Sequence, residues 1–227
     1  MDTSAADWDK LADKALSWIE DTLRRVQKAQ SDIGQEHRKV AFAACYCLLA
    51  AHEYVESAFL AMKARHEYAG LACCLPVAEM AITFYWCTYD VDDFPQRLKR
   101  WEAAHAERPG RGDEPAQANP APGGAALPEV KAMLEELDRR VSDPGRFSYL
   151  YPTLYEPLSA SARGQLAPGR YFRLEESTIV RRQTPPPGPD RAWIVLTACL
   201  TLVGAIYHFF RWDISPIKAQ YKALIGD

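Results

Sequence analysis

Apolar residues recur every three or four positions through residues 4–30, where Trp8, Leu11, Leu16, Ile19, Leu23 and Val26 mark one stripe. That period predicts an amphipathic helix, and Ser4 with Asp7 offers a capping-box-like start. After Ser31, Asp32, Ile33 and Gly34 break it, a second helix is predicted over 35–65, polar at first, densely apolar over 40–51 and amphipathic beyond. A short break at 66–70 leads into LACCLPVAEMAITFYWC, residues 71–87, which is apolar on nearly every side and is therefore predicted to be the central buried helix. A short connection makes these two helices an antiparallel hairpin. Proline is tolerated in a first helical turn, so Pro76 sets an expected start near Cys74.

Further on, Phe94, Leu98 and Trp101 line a helix over 92–106, and Val130, Met133, Leu134, Leu137 and Val141 line another over 128–142. Between them, residues 107–127 are rich in Pro, Gly and Ala with no hydrophobic period, which predicts a flexible loop. Residues 146–190 read as mostly irregular, with a short helix after Pro157 and an extended stretch RYFRLEESTIVRRQT. A long apolar helix over 193–210 and a short terminal helix from Ser215 complete the pattern. The expected fold is all-α: one helical bundle spanning 1–227, with a central antiparallel hairpin and an irregular, extended insertion before the last long helix.

Composition changes this picture little. Hydrophobic residues at 48% suffice for a sizeable core, and a formal charge of -3 exerts no global pull toward nucleic acid or anionic membrane. The six cysteines stand inside apolar runs without zinc-site spacing, so they read as small hydrophobes in a reducing cytoplasm. The first ten residues lack a basic start followed by an apolar block, so no signal peptide is expected. Residues 193–210 just reach the length of a membrane span. Thr197, Thr201, Gly204 and His208 nevertheless form a small, polar stripe along them, which predicts a helix buried in the bundle, with His208 hydrogen-bonded inside it or at its mouth.

Candidate chemistry is sparse. Glu79 is the one ionisable residue of 71–87, and a buried carboxylate needs a partner, for which Arg163 is the candidate. His52 and Glu56, one turn apart, read either as a solvated stripe with Lys63 or as a proton-handling couple. Six aromatics from Phe147 to Phe172, interleaved with Arg163, Arg170, Arg173, Arg181 and Arg182, fit either an irregular segment packed on a helical core or a surface that stacks RNA bases. No Gly-rich phosphate loop, metal-ligand spacing or nucleophile–base pairing is visible, and neither cofactor nor metal is expected.

Pro76, Glu79 and Trp86, followed by Leu158, Ser159 and Gly164 and by an apolar last helix, resemble a family of bacterial all-helical proteins similar to the HEPN superfamily. That family carries R-P-x-x-E with Trp seven residues later, and then a His-Gly motif. Here Leu75 stands in place of its Arg and Arg163 in place of its His. The likeness covers about 35–210. HEPN ribonucleases cut RNA without metal through an R-x4-6-H motif, usually across a dimer interface, and Arg100 and His105 match that spacing. The resemblance implies a stress or phage-defence setting.

Three functions follow from these readings. The first is a cytoplasmic, non-catalytic interaction or regulatory protein acting as a homodimer or with a protein partner. The second is a metal-independent ribonuclease using Arg100 with His105, or His52 with Arg163. The third is a scaffold anchored in a membrane through 193–210.

Overall fold

The computed structural model describes residues 5–31, 33–90, 93–105, 127–141, 145–163, 172–175, 178–181 and 191–225. It is an all-α helical bundle. Helix α1 (Ala5–Ala29) buries Leu11, Ile19 and Val26 of the predicted stripe together with Ala15 and Trp18, leaves Trp8, Leu16 and Leu23 partly buried, and packs on α2 (Gln35–Lys63) and α7 (Arg191–Phe209).

Helix α2 closes with a tight reversal in which His66 N–H donates to the Ala61 carbonyl and Arg65 N–H to that of Met62, with Arg65 in the left-handed region at φ 62°. The chain returns as α3 (Glu67–Thr88), giving the expected antiparallel hairpin. The expected start near Cys74 is corrected: α3 begins at Glu67 and runs through Pro76. Proline removes only one ladder bond, and the burial of Leu71, Cys74, Val77 and Ala78 around it holds the helical path. Gly70 makes the hairpin possible at this spacing, because a Cβ there would stand 2.7 Å from Met62 Cγ and 2.9 Å from the Ala58 carbonyl oxygen.

Helix α3 is central, touching α2, α4 (Phe94–His105), α5 (Val130–Asp138), α6 (Glu156–Ala162) and α7. Arg191 pairs with Glu67 at one end and His208 stacks on Tyr89 at the other, so α3 and α7 run side by side in the same direction. Helix α5 is shorter than the predicted 128–142, and a π-helical turn at Tyr151–Tyr155 runs directly into α6, where more irregular chain was expected. The stretch read as extended forms the antiparallel pair β1 (Phe172–Glu175) and β2 (Thr178–Arg181), in register Phe172↔Arg181.

By length and composition α3 is the one described helix that could cross a membrane, and most of its apolar window is buried in the bundle; the apolar part of α7, Trp193–Phe209, is shorter. The small, polar stripe of α7 faces protein. Thr197 and the Tyr221 hydroxyl of α8 (Ser215–Ile225) are 2.7 Å apart, Thr201 donates to the Thr197 carbonyl, and Gly204 leaves room for the Tyr85 hydroxyl.

Candidate functional site

The densest polar arrangement lies where α3, α4 and α5 meet. Arg97 on α4 is buried at 4% exposure, with its guanidinium 4.9 Å from the centre of the Trp86 ring. It donates to the Trp86 carbonyl at 2.6 Å, to Glu136 Oε1 at 2.5 Å and to Asp93 at 3.3 Å. The Trp86 indole N–H donates to Glu136 Oε2 at 2.7 Å. Arg140 closes the ring by donating to Asp90 and Asp93, both at 2.7 Å, and to Glu136 at 3.1 Å. Burial pushes the Glu136 carboxyl up, but the Trp86 hydrogen bond and the charges of Arg97 and Arg140 outweigh it and hold the pKa below the ordinary range. Asp93 is likewise held low, first by its hydrogen bond from Arg140.

Both oxygens of Glu136 are engaged, and an acid held below its usual pKa is a poor proton carrier near neutrality. The arrangement is a clamp joining three helices. Sequence reading singled out only Trp86 here, as part of a motif. The missed signal was modest: Asp93 with Arg97, and Glu136 with Arg140, are opposite charges at i and i+4, which neighbour each other on a helix face.

A second clamp fixes the turn after α5. Asp138 accepts from the backbone N–H groups of Phe147 at 2.6 Å and Ser148 at 2.8 Å, and from the Ser148 hydroxyl. This seats Phe147 edge-on between Tyr85, at 5.4 Å, and Tyr89, at 5.7 Å.

The expected Glu79–Arg163 pair is not made. Glu79 is half-buried and accepts from the Tyr155 hydroxyl at 3.3 Å, while Arg163 caps α6 as an exposed residue whose charge reaches Tyr155 through space. A partly solvated carboxylate needs only this one donor, so no cation is drawn in. Burial raises the Tyr155 pKa first, and the neighbouring Glu79 charge raises it further.

His52 and Glu56 are not coupled either. His52 Nε2 lies 3.3 Å from Glu20 of α1, Lys63 pairs with Asp9 at 2.7 Å, and Glu56 is exposed, so this face is a solvated stripe knitted to α1. His208 sits at the rim of the bundle with its ring stacked on Tyr89 at 4.9 Å and 11°, so stacking replaces the expected hydrogen bond. Partial burial lowers its pKa, and the Arg146 charge lowers it further. Arg100 is half-exposed on α4, and the side chain of His105 lies outside the described residues.

Of the aromatics considered for RNA stacking, Phe147 is buried, Tyr151 and Tyr155 pack on each other at 5.4 Å, and Tyr149 remains 60% exposed. Tyr171, Arg170 and Arg182 lie outside the described residues. Among the described residues no group of three or more His, Cys, Asp or Glu side chains is placed to hold a metal ion. The thiols are chemically quiet: burial raises Cys47, Cys87 and Cys199 to about 12.

The feature that the core does not absorb is on α2. Val40, Ala44, Cys47, Leu48, Ala51 and Val55 face inward, yet Phe42 is 72% exposed, Tyr46 55%, Leu49 56% and Leu60 62%. Phe42, Tyr46 and Leu49 follow one another at four and three residues, so they form a continuous ridge on the outer face. Beside Phe42 opens a groove walled by Gln27 of α1, by Gln30 just after it and by Leu98 and Trp101 of α4. Reading 40–51 as one apolar block concealed this, because an apolar outer face and an apolar inner face give the same composition. Compared with known proteins, the chain matches no protein-family model, no curated protein and no solved structure.

Proposed function

We propose that this chain is a non-catalytic helical interaction protein that docks through the outer face of α2. One observation carries the reading: three large apolar side chains, Phe42, Tyr46 and Leu49, stand side by side more than half exposed on a helix whose other face is fully packed. Contiguous apolar surface on a folded domain marks a contact site, whereas scattered apolar residues do not. The polar side chains give this reading indirect support, since Arg97, Glu136 and Arg140 satisfy one another in one structural clamp and Asp138 is held by Phe147 and Ser148 in another. Free thiols fit a reducing cytoplasm, and the stress or phage-defence setting comes from the HEPN resemblance.

Sedimentation of a clarified cell extract tests this. The chain is expected in fractions heavier than its own 25.5 kDa, and Tyr46→Glu is expected to move it to lighter ones at unchanged helix content. Identical migration of the two, or RNA cleavage by the purified chain that Arg100→Ala abolishes, would overturn the reading.

A further inference from the structure

We infer that the occupant of the α2 face is a second copy of this chain, packed antiparallel across a two-fold axis that passes α2 midway between Cys45 and Tyr46. This rests on the docking role of α2 proposed above and names its partner. The reason lies in the order of side chains along the exposed face: Arg38, Phe42, Tyr46, Leu49 and Glu53 are all exposed and share one side of the helix. A basic residue stands four positions before the first apolar one, and an acidic residue four positions after the last. Reversal of the helix about the 45–46 midpoint therefore superposes Arg38 on Glu53 and Phe42 on Leu49, leaving the two Tyr46 rings at the centre.

An isologous interface demands such a pattern, because each residue meets its counterpart's partner twice. Two copies would form two Arg38–Glu53 ion pairs about 22 Å from end to end of each helix, flanking two Phe42–Leu49 contacts. A parallel pairing would instead set Arg38 against Arg38 and Glu53 against Glu53, which the charges oppose. Among the described residues neither Arg38 nor Glu53 forms an ion pair in its own chain, while the nearby His52 and Lys63 are turned toward α1. The groove beside Phe42, with Leu98 and Trp101 on its wall, widens the face beyond a single helix.

Sedimentation equilibrium on the purified full chain, over a concentration series at low and high salt, tests the inference. The expected species has twice the 25.5 kDa chain mass. Tyr46→Glu should give monomer with unchanged helix content. Arg38→Glu and Glu53→Arg should each weaken the dimer roughly threefold to tenfold, since two exposed ion pairs are lost at once, and the double swap should restore it. All three residues are exposed, so folding is expected to survive, and circular dichroism verifies it. A wild-type monomer at every concentration overturns the second copy, and a double swap that fails to restore association overturns the antiparallel register. If the purified chain is monomeric while the extract complex still dissolves with Tyr46→Glu, the partner is a different protein and the docking role of α2 stands. If neither assembly exists, both readings fall.

Discussion

The indole N–H of Trp86 donates to the carboxylate of Glu136 across fifty residues of sequence, at 2.7 Å, and the other oxygen of that carboxylate holds the buried Arg97. Glu136 is thus the joint between α3, α4 and α5. Its removal leaves a cation of 4% exposure short of its principal counter-charge. Glu136→Ala should therefore cost about 3 kcal/mol, the lower end of the range for breaking a buried pair, because Asp93 remains. Glu136→Gln, which keeps an acceptor for Trp86, should cost roughly half as much. Urea unfolding followed by tryptophan fluorescence checks both, and a loss under 1 kcal/mol for the alanine variant would mean that Arg97 is satisfied without Glu136. Since the folded-state pKa of Glu136 is lowered, its contribution is present above the ordinary glutamate pKa and lost as pH falls through the folded value.

At the hairpin, Gly70→Ala brings a methyl group against Met62 and, more seriously, against the Ala58 backbone carbonyl, which cannot rotate away. Alanine in a helix returns up to about 1 kcal/mol of backbone entropy, while overpacking costs roughly 1 to 3 kcal/mol. A net destabilisation near 1 kcal/mol is expected in thermal or urea unfolding. A stabilised variant would show that α2 and α3 are packed less closely than this.

His208 offers a pH test. Burial against Tyr89 and the field of Arg146 lower its pKa, so the unfolded chain binds more protons than the folded one near pH 6. Its contribution to stability is full above the ordinary histidine pKa, about 6.5, and is lost as pH falls through the folded value. An NMR titration of the imidazole should give a value below the ordinary one. It should rise in Tyr89→Ala, which opens the ring to water, and by less in Arg146→Ala. A wild-type value at or above the ordinary one would contradict the stacked geometry.

Much of the fold is legible in the pattern of apolar residues. The spacing of Leu11, Ile19 and Val26 marks the inner face of α1, and the all-round apolar stretch 71–87 lies at the centre of the bundle as α3. Boundaries near prolines are harder to read: Pro76 points to a start near Cys74, although packing carries the helix through it from Glu67. The partners of candidate residues were the least legible part. Glu79 meets Tyr155 and Glu136 meets Trp86 only through tertiary folding, across 76 and 50 residues, and no local period encodes such distances. The outward ridge of α2 was hidden for the opposite reason. Its period was visible, but whether a neighbour covers Phe42, Tyr46 and Leu49 is a property of the assembled bundle.

The central claim is that α2 carries the contact surface, and site-specific photocrosslinking tests it most directly. A photoreactive phenylalanine derivative replaces Tyr46 in one sample and Lys218, an exposed residue of α8, in another, and living cells are irradiated. The account predicts a covalent protein adduct from position 46 that disappears when Leu49→Glu is added, and no comparable adduct from position 218. Equal crosslinking at both positions, or none from position 46, would contradict it.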